Sequence, residues 1–164
     1  MKELLQQYSS YNLWANEIIT DKILQLPAAI LYSEMNSSFG SIYKTVIHLM
    51  DVETIWWQRL KLYEHVEWPG INYHEPFEIL AKDLLNLSKR WNEWIHDANE
   101  ASLTHEFEYK NSNKKSFRQP VFEMLLHLFN HQTFHRGQII TMMRQNEVDT
   151  IPATDFIVYS RKAL

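Results

Sequence analysis

Asn130-His131-Gln132-Thr133-Phe134-His135-Arg136-Gly137-Gln138 sets two imidazoles four residues apart in a segment whose apolar positions repeat as a helix. Met124, Leu128, His131, His135, Ile139 and Met142 follow one another at steps of three and four, the stripe that faces a helical core. Both imidazoles are therefore expected to point inward. Residues at i and i+4 share a helix face, so this pair can grip one metal ion. Burying two imidazoles costs free energy unless their nitrogens find partners. A divalent cation is a partner both can share; a core polar group or backbone carbonyl for each is the alternative. Spacing alone leaves the two open.

A third ligand would tip the balance, and His48 offers one. It is the only His in the run from Ser41 to Trp57, a second long helix-like stretch. Three imidazoles with a further position left for water form the open arrangement of catalytic zinc and related metals, whereas closed structural sites usually employ four ligands, often Cys. The chain has no Cys, which also excludes a Cys nucleophile. If a metal is bound, an open imidazole site, with or without a carboxylate, is what the inventory allows.

Working outward, a first helix is expected over about residues 2 to 25, with Leu4, Leu5, Tyr8, Tyr11, Ala15, Ile18, Ile19 and Leu26 at near-helical spacing and Pro27 as its stop. Asn36 to Ser41 supplies turn and N-cap residues for the second helix, which should end before Trp68-Pro69-Gly70. A third begins near Pro76 and runs through Phe77, Leu80, Leu84, Leu87, Trp91, Trp94 and Ile95. Residues 103 to 118 alternate polar and aromatic side chains around Asn111-Ser112-Asn113 and read as a short hairpin or extended excursion. Pro120 opens the fourth long helix, and Ile151-Pro152 starts a short final segment ending in an amphipathic tail, Asp155 to Leu164. The fold class is all-α: a four-helix bundle with one insertion, in which metal sites are commonly built from facing helices.

With 164 residues, 45% hydrophobic and 13% aromatic, the chain suits one compact domain spanning residues 1–164. Three Gly, five Pro and no repeat or low-complexity tract give no sign of a solenoid or a disordered linker. A net charge of −4 with scattered basic residues argues against a nucleic-acid partner. There is no signal-peptide pattern at Met1 to Tyr8 and no run of about 18 apolar residues, so a cytoplasmic protein with no membrane partner is expected.

Laid out in this way, the sequence resembles the DinB/YfiT-like family of bacterial four-helix-bundle proteins over essentially its whole length. The matching pieces are Tyr11-Asn12-Leu13-Trp14-Ala15-Asn16, His48-Leu49-Met50-Asp51-Val52, and Asn130-His131 through His135-Arg136-Gly137-Gln138, the last being the specific one. The resemblance implies a divalent metal, nickel or zinc, on His48, His131 and His135. Some relatives resemble transferases or isomerases that use low-molecular-weight thiols such as bacillithiol or mycothiol, and others have no assigned activity. Many members carry a His just before the last ligand, where this chain has Phe134. That position lies about 100° around the helix from His135, so the exchange should alter the neighbouring surface and leave the site intact.

His127 sits one turn before His131. Two successive steps of four rotate by about 80° in total, which makes ligation by all three awkward, so His127 is read as a supporting or structural residue. His65, His74, His96 and His105 fall near element ends and are expected in solvent. Asp51 and Glu53 point to other sides of the helix from His48 and are read as surface charges. Arg136 and Gln138 either brace the metal ligands or form helix-surface ion pairs. Gly137 is expected to admit the close approach of another helix. Trp14, Trp56, Trp57, Trp91 and Trp94 are expected mostly in the core or at an interface, and a homodimer is a reasonable expectation. The functional reading is a metal-dependent enzyme acting on a small-molecule substrate by thiol S-transfer or hydrolysis, with no catalytic side chain assigned. The alternative is a non-catalytic metal-binding stress-response or interaction protein.

Overall fold

The computed structural model describes residues 1–161, and the fold is a four-helix bundle with a small two-stranded sheet. Helix α1 covers Lys2–Ile23 and ends two residues before its expected boundary; Pro27 then caps a single extra turn, α2, over Ala28–Leu31. Helix α3, Ile42–Leu60, starts where the sequence indicated, because the Ser41 side chain accepts from the Lys44 amide at 3.1 Å. It stops before Leu62, which adopts a positive φ of 54°. A 3-10 turn over Pro69–Asn72 leads to α4, Phe77–Asp97.

The segment from residue 103 differs in part from the expected extended excursion. Residues 103 and 104 belong to a short helix, α5 (Glu100–Thr104), because Asn99 caps it by accepting from the Ser102 amide at 2.8 Å. The hairpin follows as β1 (Glu106–Lys110) and β2 (Ser116–Pro120), antiparallel with Tyr109 opposite Phe117. Its turn is held by the Asn111 side chain, which accepts from the amides of Asn113 and Lys115, both at 3.0 Å. Helix α6, Val121–Gln145, begins directly after Pro120. The tail expected over Asp155 to Leu164 contains α7, Phe156–Ser160; residues 162–164 lie outside the described residues. Tyr8 and Tyr11 hold α7 on the bundle through edge contacts with Phe156 at 6.0 and 5.2 Å.

α1 packs beside α4 and α6, and α3 beside α4 and α6, so the helices go round the bundle in the order α1, α4, α3, α6. The interior is two apolar clusters. One gathers Ile19, Ile23, Ile42, Val46, Leu49, Leu80, Leu84, Ile139 and Met142; the other gathers Leu5, Trp56, Trp91, Ile95, Leu125, Leu128 and Phe129. Between them every long helix contributes buried polar side chains: Asn12 and Asn16 from α1, Glu53 from α3, Ser88 from α4, and Gln132 and Arg136 from α6. Trp56 and Trp91 are core residues, and Trp14, Trp57 and Trp94 are half-buried at its margins.

Candidate metal centre

The seam between α3 and α6 brings the three candidate imidazoles together. α6 is pinned there by Gln132, buried on the bundle side, whose amide donates to the Leu49 carbonyl at 2.9 Å. That bond sits beside His48 in the chain and fixes the height of one helix against the other. His48 from α3 then meets His131 and His135 from α6. The Nε2 atom of His131 lies 3.1 Å from that of His48 and 3.1 Å from that of His135. All three donor atoms fall within 4.8 Å of one another.

Ring nitrogens spaced as these two pairs are fit a shared cation. Nitrogens bound at about 2.1 Å to one ion stand about 3 to 3.4 Å apart in octahedral or tetrahedral geometry. The rings also hold the right protonation state. Burial, and then the neighbouring imidazole of His135, push His48 down to about 4. Burial, followed by His135, His48 and His127, pushes His131 down to about 3. Burial lowers His135 as well, opposed by its hydrogen bond to Gln138. All three are thus neutral near pH 7 and offer lone pairs.

Support around the cluster is uneven. His135 Nδ1 lies 2.8 Å from Gln138 Oε1, a partner that can only accept, so Nδ1 carries the hydrogen and Nε2 is left free as a donor of electrons. Gln138 is itself held, its amide donating to Ser38 Oγ at 3.1 Å. His131 Nδ1 is buried and has no partner among the described residues. Phe39 walls one side: its ring stacks on His48 at 3.9 Å and 23° and meets His135 edge-on at 5.4 Å. Ser38 and Phe39 were not singled out in the sequence. A phenyl ring in a stretch of Ser, Asn and Gly was the available signal, since an apolar ring in a turn needs something to pack on.

Other residues fall where their chemistry sends them. His127 stays outside the cluster, exposed, its ring 5.9 Å from that of His131 and 5.5 Å from that of Trp56. His65, His74, His96 and His105 are exposed, as expected. Phe134 is 61% exposed and touches His135 edge-on at 4.9 Å. Asp51 and Glu53 are corrections, because both are buried. Asp51 accepts from the Gly70 amide at 2.7 Å and so anchors the loop before α4. Glu53 is fully buried and accepts from Ser88 at 2.9 and 3.0 Å and from Asn12 at 3.2 Å.

Arg136 is no surface residue either. Only 1% exposed, it donates to Asn12 Oδ1 at 2.7 Å, Asn16 Oδ1 at 2.8 Å and Thr133 at 3.0 Å. The two Asn side chains thus connect the guanidinium to the Glu53 carboxylate. Burial pushes Glu53 up to about 8, against the pull of Ser88, Asn12 and the Arg136 charge. Gly137 corrects another expectation: a Cβ there would meet nothing within 4 Å, so no helix approaches closely.

A four-helix bundle with three converging imidazoles on one seam, and among the described residues no fourth His, Cys, Asp or Glu in the cluster, defines a class of bundles that could hold a metal ion at that seam. The chain belongs to the DinB family, whose model matches residues 1–162. It is 28% identical over 168 residues to "Protein DinB" of Bacillus subtilis (strain 168), covering 97% of this chain and 95% of that protein. A crystal structure of a DinB-like protein from Bacillus cereus ATCC 10987 is similar in fold, with a TM-score of 0.66 at 18% identity over 85% of this chain and 89% of that one.

Proposed function

We propose that His48, His131 and His135 hold one divalent cation, nickel or zinc, in an open site that serves a metal-dependent reaction on a small molecule in the cytoplasm. The observation that carries this reading is the convergence of three imidazoles, with His131 Nε2 3.1 Å from Nε2 of both His48 and His135 and all three donor atoms within 4.8 Å of one another. Bound there, the ion would lower the pKa of a coordinated water or thiol and stabilise developing anionic charge. The chain's own residues do the holding: Gln138 orients His135, Gln132 fixes the two helices, and Phe39 shields one flank. Thiol S-transfer and hydrolysis both fit such a centre, and the family resemblance favours the thiol.

A purely structural ion fits less well, because apolar clusters fill the bundle on both sides of the polar layer without help from the imidazoles. Elemental mass spectrometry on untagged protein tests the proposal. Near-stoichiometric metal, lost in the His131→Ala/His135→Ala variant, is the expected result. Wild-type protein that stays metal-free after reconstitution with nickel and zinc would end it.

A further inference from the structure

From the imidazole cluster a line of rings runs along the α3–α6 seam: His131, then His127 at 5.9 Å, then Trp56 at 5.5 Å. It ends at Arg59, whose guanidinium lies 4.7 Å from the centroid of Trp56 and 5.4 Å from that of Tyr109. Arg59 lies eleven residues after His48, about three turns, so both occupy the same face of α3. Helical side chains lean back toward the N-terminus, which carries the Arg59 head toward His48.

Among the described residues, Arg59 is a cation without an anion. None of the ion pairs among the described residues includes it, and its Nε atom is buried without a partner. The group lines a cavity of about 340 Å³ together with Tyr109, Glu64, Glu108 and Lys110. A half-buried guanidinium is costly to leave unpaired, and its planar fork matches a carboxylate. The two Glu side chains lining the cavity would repel a dianion, so the charge balance suits a single negative charge better than a phosphate.

We propose that this cavity is a carboxylate-binding subsite in which Arg59 grips the anion, and that the small molecule taken at the imidazole cluster places its carboxylate here. The second half rests on the metal reading above. The eleven residues amount to about 16 Å along the axis. Allowing for the backward reach of Arg59, the gap is roughly 10 Å, the span of an extended tripeptide. A thiol of tripeptide size with a terminal carboxylate fits that span.

The subsite is tested without metal by following the Arg59 Nε–Hε resonance of ¹⁵N-labelled apoprotein, assigned by its loss in Arg59→Lys. Glutarate should move it and glutaramide should not. No movement with glutarate would overturn the proposal, and so would an equal response to inorganic phosphate. The link to the metal is tested in cobalt-loaded protein by the thiolate-to-cobalt charge-transfer band. Arg59→Gln should weaken glutathione binding by about tenfold or more while leaving glutathione diethyl ester unaffected. Equal glutathione affinity in the variant and the wild type would overturn the proposal. A glutarate response with no cobalt band for any thiol would leave the subsite standing and remove the thiol from the reading of the metal centre.

Discussion

At the scale of single residues, the imidazoles depend on what stands behind them. Among the described residues, Gln138 is the one side chain that fixes the tautomer of a clustered ring directly, through its 2.8 Å contact with His135 Nδ1. Gln138→Ala should therefore lower affinity for nickel or zinc by roughly tenfold without unfolding the bundle, measured by competition with a chromophoric chelator. Unchanged affinity would show that the ring holds its orientation by packing alone. The His pair was legible because a four-residue step on an apolar stripe is a local pattern. Glu53 was misread and Arg136 was left open because their partners are remote in sequence: a charged residue does not show whether it is solvated until a distant helix supplies Asn12, Asn16 and Ser88. Ser38 and Phe39 were hidden for the same reason, since a turn's sequence does not state what it folds over.

At the scale of elements, signals carried by one residue at a boundary were readable and single turns were not. Ser41, Pro76 and Pro120 mark the starts of three long helices. α2 and α5, of four and five residues, are too short for a 3.6-residue period to be seen. Two glycines test how the elements fit. Gly137 stands inside α6 facing open space, so Gly137→Ala should raise stability by about 0.5–1 kcal/mol in urea unfolding. Gly70 faces the other way: an added Cβ would run into the Asp51 carboxylate and the Ile47 methyl group. Gly70→Ala should destabilise by about 1–3 kcal/mol, through strain in the loop and loss of the Asp51 hydrogen bond. If both variants moved stability in the same direction, the packing described at one of these positions would be wrong.

At the scale of the molecule, the polar layer between the two apolar clusters makes folding sensitive to pH. Burial raises Glu53 from 4.5 to about 8, so the folded chain holds a proton that the unfolded chain releases. The stability this contributes is fully present below about pH 4.5 and is lost as pH rises to about 8. Glu53→Gln has no proton to lose, so its stability relative to wild type should increase steadily from about pH 5 to about pH 8 and then level off. A gap that stays constant across that range would show that Glu53 ionises at its ordinary value. The four long helices were legible from their periodicity and their boundary residues, whereas the layer that fixes their alignment draws one or two residues from each and carries no pattern within any helix. Chelation should leave the helical circular dichroism unchanged, and nickel or zinc at about 100 times its Kd should stabilise the protein by about 2.7 kcal/mol. Collapse on chelation would instead make the ion part of the fold. Arg136 follows His135 directly in the chain and reaches Asn12 and Asn16 only when α1 and α6 are aligned, with Asn12 in turn bonded to Glu53 of α3, so the clasp that sets the helices also sets the rings. If the proposed ion binds, the order of manufacture follows from that: a chain whose helices are set by this clasp can be synthesised, folded and kept in reserve before any cation is delivered, and the cation acquired would then depend on the supply in its surroundings at that moment.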